Sequence, residues 1–225
     1  MMLLELVLVF VMLTTLAVTG AGRLDTCIRL VGMQGAALGL LPVLLSWAGL
    51  SEHAAGGWEN AGWRVVFLAV FGIVLKGFVF PGLLLHSLRA ADVRHDVEPV
   101  IGFGTSLMAG VLIMAGSFWL SANMEVPHAA QSPLILPAAL STTLLGLLII
   151  VIRRTAITQT LGYLVMENGI YIFGVAMASE QPFLVEMGVL LDVFVAVFVM
   201  GIIIFHISRD FDEKADVDQL SELKD

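Results

Sequence analysis

Three ionisable side chains stand where the surrounding sequence offers them no water. Lys76 interrupts GIVLKGFVFPGLLL, Glu167 lies in LGYLVMENG, and Asp192 lies in VEMGVLLDVFVAVFVM. A charged Lys or Asp at the centre of a membrane helix opposes insertion by about 2.5–3.5 kcal/mol. Taking a similar cost for Glu, the trio unpaired would oppose insertion by roughly 8–10 kcal/mol. Such groups therefore face the bundle interior, one another or water. Burial works against their charged forms and pairing favours them, and groups poised between the two can exchange protons near neutral pH. Around the glutamate, Thr160, Tyr163, Glu167 and Tyr171 recur at spacings of three and four, with Asn168 adjoining. On a helix that is one stripe of hydroxyls around a carboxylate. The chemistry this pattern suits is proton or cation carriage, with Glu167, Asp192, Lys76, Tyr163, Tyr171 and Asn168 as its candidate residues. The same residues would also serve as a static ion pair that holds helices in register, the hydroxyls binding helix to helix.

The elements that must position these groups are membrane helices. The 225 residues are 59% hydrophobic and 13% charged, and the mean hydropathy is +0.97. That balance excludes a soluble enzyme, a disulfide scaffold and a nucleic-acid binder. Apolar runs bounded by charge, Pro or Gly predict about seven spans, at Met2–Val18, Leu30–Leu50, Trp63–His86, Val100–Ala122, Leu134–Ile152, Ile157–Ala178 and Phe183–Ile207. The runs are continuous rather than alternating, so a β-barrel is excluded. The fold class is an all-α polytopic transmembrane bundle, residues 1–208, followed by an acidic tail, 209–225. Gly72, Gly77 and Pro81 surround Lys76, which predicts a kink or an opening in the third span.

Basic residues set the orientation. With the N-terminus outside, Arg23, Arg29, Arg89, Arg94, Arg153, Arg154, Arg209, Lys214 and Lys224 all fall on the inner side, and Arg64 alone falls outside. The positive-inside bias therefore places the tail in the cytoplasm. Within the tail, Val217, Leu220 and Leu223 recur every three residues among acids, the pattern of a short amphipathic docking turn or of a solvated tail. The start MMLLELVLVF has no basic region, so it reads as a permanent first span rather than a cleaved signal. Cys27 is the single cysteine and reads as a small helix residue. Glu5 and Glu186 lie near helix ends, where interfacial water solvates them. His86 and His206 also sit at helix ends without the mid-membrane partner that bis-histidine haem ligation needs. No iron–sulfur cysteine cluster, phosphate loop or nucleotide fingerprint occurs, so no cofactor is expected.

The block LGYLVMENG at Leu161–Gly169, the run Val185–Met200 and the ending DVDQLSELKD resemble the hydrogenase-4 component E family, as does the Lys76 helix. The resemblance covers most of the chain and is strongest from about Leu144 onward. Its last three helices, 144–208, are also similar to the small K subunit of proton-translocating NADH:quinone oxidoreductase and to the C subunit of multisubunit sodium/proton antiporters. VIRR at Val151–Arg154 matches that subunit's basic loop. That subunit carries a buried glutamate in each of its two later helices; Glu167 falls about one turn later than the simple alignment places the first, and Asp192 stands near the position of the second.

The resemblance implies a non-catalytic inner-membrane subunit of an energy-converting hydrogenase or formate hydrogenlyase-like complex. Its partners would be antiporter-like and channel subunits within the lipid bilayer and soluble hydrogenase-like redox subunits. Glu167 and Asp192 would act as carriers on a mid-membrane polar axis, with Lys76 modulating them. A cation/proton antiporter subunit without a redox partner and a purely structural scaffold remain alternatives. A retinal photoreceptor would carry its lysine in the seventh span rather than the third.

Overall fold

The computed structural model describes residues 1–47, 66–67, 69–90, 102–124, 132–177 and 201. Among these the chain is helical and contains no strand. The elements are α1 (Met2–Gly20), α2 (Leu24–Gly39), α3 (Leu41–Trp47), a π-helix (Ile73–Val79), α4 (Phe80–Ala90), α5 (Phe103–Asn123), α6 (Ile135–Ile152) and α7 (Ala156–Met177). Five helical stretches are long and apolar enough to cross a membrane: Met2–Gly20, Leu24–Leu45, Ala69–His86, Phe103–Asn123 and Ile135–Ile152. They correspond to the first five expected spans. Helix α7, 22 residues long, occupies the sixth. The seventh expected span and the acidic tail lie outside the described residues.

The second span differs from its expected bounds at both ends. It starts at Leu24 rather than Leu30, because a helix can begin in the polar interface before its apolar run does. Asp25 sits in the first turn, where unpaired backbone N–H groups favour an acid. Past Gly39 the helix is interrupted and resumes as α3 at Leu41. Pro42 has no N–H to return to the preceding turn, which is the ordinary cause of such a break. In the third span the expected opening is a seven-residue π-helix with Gly72 as its N-terminal flank. Pro81, one residue into α4, likewise offers no N–H to the turn that contains Gly77.

Four helices form a ring. Helix α1 packs on α2 and α6, and α7 packs on α6 and α2. The π-helix and α4 lie against the outside of α2, and α5 lies against α1 and α6. Two apolar clusters hold these helices together. One joins Val18, Leu24, Cys27, Ile28 and Val31 to Phe80, Leu84, Leu88, Ile149, Ile157, Leu161, Leu164 and Val165. The other joins Leu4, Leu8, Val11 and Met12 to Leu38, Leu41, Leu45, Ile135, Ala138, Ala139 and Ile172.

Between the clusters, on the four helices of the ring, runs a buried polar layer that the π-helix joins. It holds Thr14 and Thr15 on α1, Gln34 on α2, Lys76 on the π-helix, Ser141 and Thr142 on α6, and Glu167 and Asn168 on α7. On α1, α2, α6 and α7 each falls between the two clusters' residues along its own helix, and Lys76 joins the layer through its ion pair with Glu167. Most of the hydroxyls satisfy themselves locally. Thr14, Thr15 and Thr19 donate to carbonyls three or four residues back, and Ser141 does the same to Ala138.

Candidate functional site

Lys76 Nζ stands 2.5 Å from Glu167 Oε1, and both side chains are 3% exposed. The ammonium also lies over the ring of Tyr171, 4.0 Å from its centroid. Tyr171 is one helical turn beyond Glu167 on α7, so carboxylate and aromatic face reach the cation from one helix face. Outside water, two charges this close interact far more strongly than at a surface, and each compensates the other's desolvation. Sequence alone left Lys76 to pair with Glu167 or with Asp192; the structure pairs it with Glu167. Lys76, Glu167 and Tyr171 make one site. The geometry can hold a charge pair at mid-bundle, and protonation of Glu167 would remove the counter-charge that holds the ammonium.

Backbone proximity delivers Lys76 to that site. Gly35 on α2 lies so close that a Cβ there would stand 2.6 Å from Lys76 Cβ and 2.9 Å from Lys76 O. A Cβ on Gly39 would meet Ile73 N at 2.7 Å, and one on Gly32 would meet Pro81 Cγ at 2.7 Å. This row of glycines lets the lysine-bearing turn press into α2. The lysine's long stem then extends past α2 to α7. Helix α7 is held by a second glycine contact: a Cβ on Gly146 of α6 would stand 2.6 Å from Met166 Cα, adjacent to Glu167.

The other expected residues fall nearby but elsewhere. Tyr163, half-buried one turn before Glu167, packs against the first apolar cluster. Asn168 is buried on the stripe Leu161, Val165, Asn168, Ile172 that faces into the ring. Thr160 is buried two turns from the glutamate. Asp192, Glu186 and His206 lie outside the described residues, while His86 is exposed at α4. Among the described residues no cluster of three His, Cys, Asp or Glu could hold a metal ion.

Two features escaped the sequence reading. Gln34 is fully buried and donates from Nε2 to Thr15 Oγ1 at 3.0 Å; its only sequence signal is an amide inside the apolar run LVGMQGAALG. Arg153, placed on the inner side by the distribution of basic residues, is 3% exposed. Its Nη2 donates to Thr19 O at 3.0 Å and Ala21 O at 3.3 Å, and its guanidinium lies 5.5 Å from the Phe103 ring centroid. A cation there answers the open carbonyls at the end of α1. Burial pushes the guanidinium pKa down from its ordinary value, without threatening its charge. The basic loop is thus a structural clasp between α1 and α6.

Residues 134–225 match the family described as NADH-ubiquinone/plastoquinone oxidoreductase chain 4L. The chain is 30% identical over 207 residues to the uncharacterized protein Rv0085 of Mycobacterium tuberculosis, covering 90% of this chain and 87% of that one. It is 32% identical over 163 residues to hydrogenase-4 component E of Escherichia coli K12, covering 72% and 74%. The chain belongs to the hydrogenase-4 component E family. With its chain 4L-like C-terminal part, this member of the component E family is an integral membrane subunit of a complex I-like assembly and works among partner subunits. Among solved structures none matches. The matched region 134–225 includes Glu167 and Arg153 but not Lys76, so the ion pair joins the chain 4L-like part to the helices that precede it.

Proposed function

We propose that this chain is a non-catalytic subunit of a hydrogenase-4 or formate hydrogenlyase-like complex in the prokaryotic inner membrane, and that it supplies one segment of a mid-membrane proton or cation path. The observation that carries this reading is the Lys76–Glu167 pair, closed over by Tyr171, at the level where the core turns polar. Such a pair has two states. With Glu167 ionised, Lys76 is held; with Glu167 protonated, the ammonium is released toward another acid. Asp192 is the proposed next acid, and Tyr163 and Asn168 flank the route. Antiporter-like and channel subunits would continue the path, and soluble redox subunits would drive it. The orientation proposed from the basic residues puts the N-terminus outside and the tail inside, with the tail as a docking element for peripheral partners.

The test is the purified complex carrying Glu167→Gln, Asp192→Asn, or both. The expected result is an assembled complex that retains electron transfer and loses ion translocation, most severely in the double variant. Wild-type translocation in an assembled double variant would leave the pair as a structural clamp and favour the scaffold reading.

A further inference from the structure

The polar layer does not stop at the Lys76–Glu167 pair. It continues into the interior of the α1–α2–α7–α6 ring, where two buried atoms stand out. Among the described residues, neither Gln34 Oε1 nor Thr142 Oγ1 has a hydrogen-bond partner, and both residues are 0% exposed. Each such orphan inside a protein opposes folding by about 1–3 kcal/mol, and hydrocarbon around the bundle offers no substitute. Along their helices both fall in the same buried polar layer as Thr15 and Asn168, between the two apolar clusters, and they are chemically complementary. The amide oxygen only accepts, whereas the hydroxyl both donates and accepts. Buried water settles where several such groups converge, each molecule typically making about three hydrogen bonds.

We propose that the ring interior is an internal water site, anchored on Gln34 Oε1 and Thr142 Oγ1 and bordered by Thr15 and Asn168. The ligand is water donating to the amide oxygen and exchanging a hydrogen bond with the hydroxyl. Gln34 is fixed for this role from both sides. Its Nε2 donates to Thr15 Oγ1, which leaves the oxygen as the amide's open acceptor, and its neighbour Gly35 is pressed against Lys76. The site is therefore a hydrated branch beside the charged pair, running toward α1 and α6. This rests on the proposed ion path only for its use, since the water site is argued from the orphaned atoms whether or not Glu167 carries protons.

The test is a density map of the intact wild-type complex at a resolution that shows ordered water. Density within hydrogen-bond distance of Gln34 Oε1 and of Thr142 Oγ1 is expected; an ordered map with no water at either atom overturns the site. Thermal unfolding of complexes carrying Thr142→Val provides a second reading with opposite signs. If water satisfies the hydroxyl, the isosteric methyl strands it and the midpoint falls. If the hydroxyl is a bare orphan, removing it raises the midpoint and overturns the proposal. Should Glu167→Gln leave translocation intact while water is seen, the ion path fails and the water site stands. For the branch to serve the path, Gln34→Leu must slow translocation by about fivefold, the factor one lost hydrogen bond commonly gives, at unchanged electron transfer.

Discussion

Two glycine seams in this molecule do opposite things with the same device. Along α6–α7, Gly146, Gly162 and Gly169 bring backbone against backbone: a Cβ on Gly162 would meet Ile150 N at 2.8 Å, and one on Gly169 would meet Thr143 N at 2.5 Å. No charged side chain lies in that contact itself; it fixes α7, and with it the helix that carries Glu167. Along α2 and the π-helix, Gly32, Gly35 and Gly39 create equal proximity, but the turn they admit carries Lys76. Lipid tails are as apolar as leucine, so helices in a bilayer gain little from burying leucine against leucine and must associate by close packing and polar contacts. The α6–α7 seam relies on close packing. The α2 seam spends its close packing on putting an ammonium within reach of a carboxylate one helix away.

The largest expected effect comes from breaking the purely steric seam. Gly146→Val would drive branched carbons into the Met166 backbone, which cannot yield without separating α6 from α7. No assembled subunit is expected in detergent extracts, and normal recovery of the complex would contradict the seam's tightness. Next is Lys76→Met, which leaves Glu167 buried without its cation; removing one partner of a buried pair costs about 3–5 kcal/mol. Adding Glu167→Leu should restore much of the assembled yield by taking away the stranded charge, without restoring translocation. Failure of the double variant to recover assembly would show that the pair is more than mutual neutralisation.

A smaller effect separates the seams more finely. Gly35→Ala presses on the Cβ of Lys76, and overpacking of this kind costs about 1–3 kcal/mol. Because the displaced group is the lysine of the proposed path, translocation should fall more than assembly does, whereas Gly162→Ala should lower both together. Equal losses in the two variants would erase the distinction. The smallest effect is the control outside both seams. A Cβ on Gly82 or Gly104 meets nothing within 4 Å, so Ala at either helical position should leave function unchanged and raise helix stability by about 0.5–1 kcal/mol. Loss of assembly with either would indicate that a partner subunit packs there.

The sequence by itself determined the class of the molecule, because hydrocarbon permits so few solutions for a polar backbone. Long apolar runs announced the helices, and an uncompensated Lys76 or Glu167 within them had to be partnered, so the site's central residues were legible one at a time. Gly72, Gly77 and Pro81 announced the opening that became the π-helix, since the missing N–H and missing Cβ are local facts. What only the tertiary structure decided was pairing. Lys76 and Glu167 are separated by 91 positions, and nothing in either helix's periodicity brings them together. Their pairing comes from the glycines of α2, which set how deeply the lysine turn sits, and from the α6–α7 contact, which sets how α7 is rotated. Arg153 and Gln34 show the same division. A basic loop reads as a marker of the inner side and a lone amide reads as incidental until neighbouring helices close over them. Burial is then the joint product of several helices at once, which no single stretch of sequence contains.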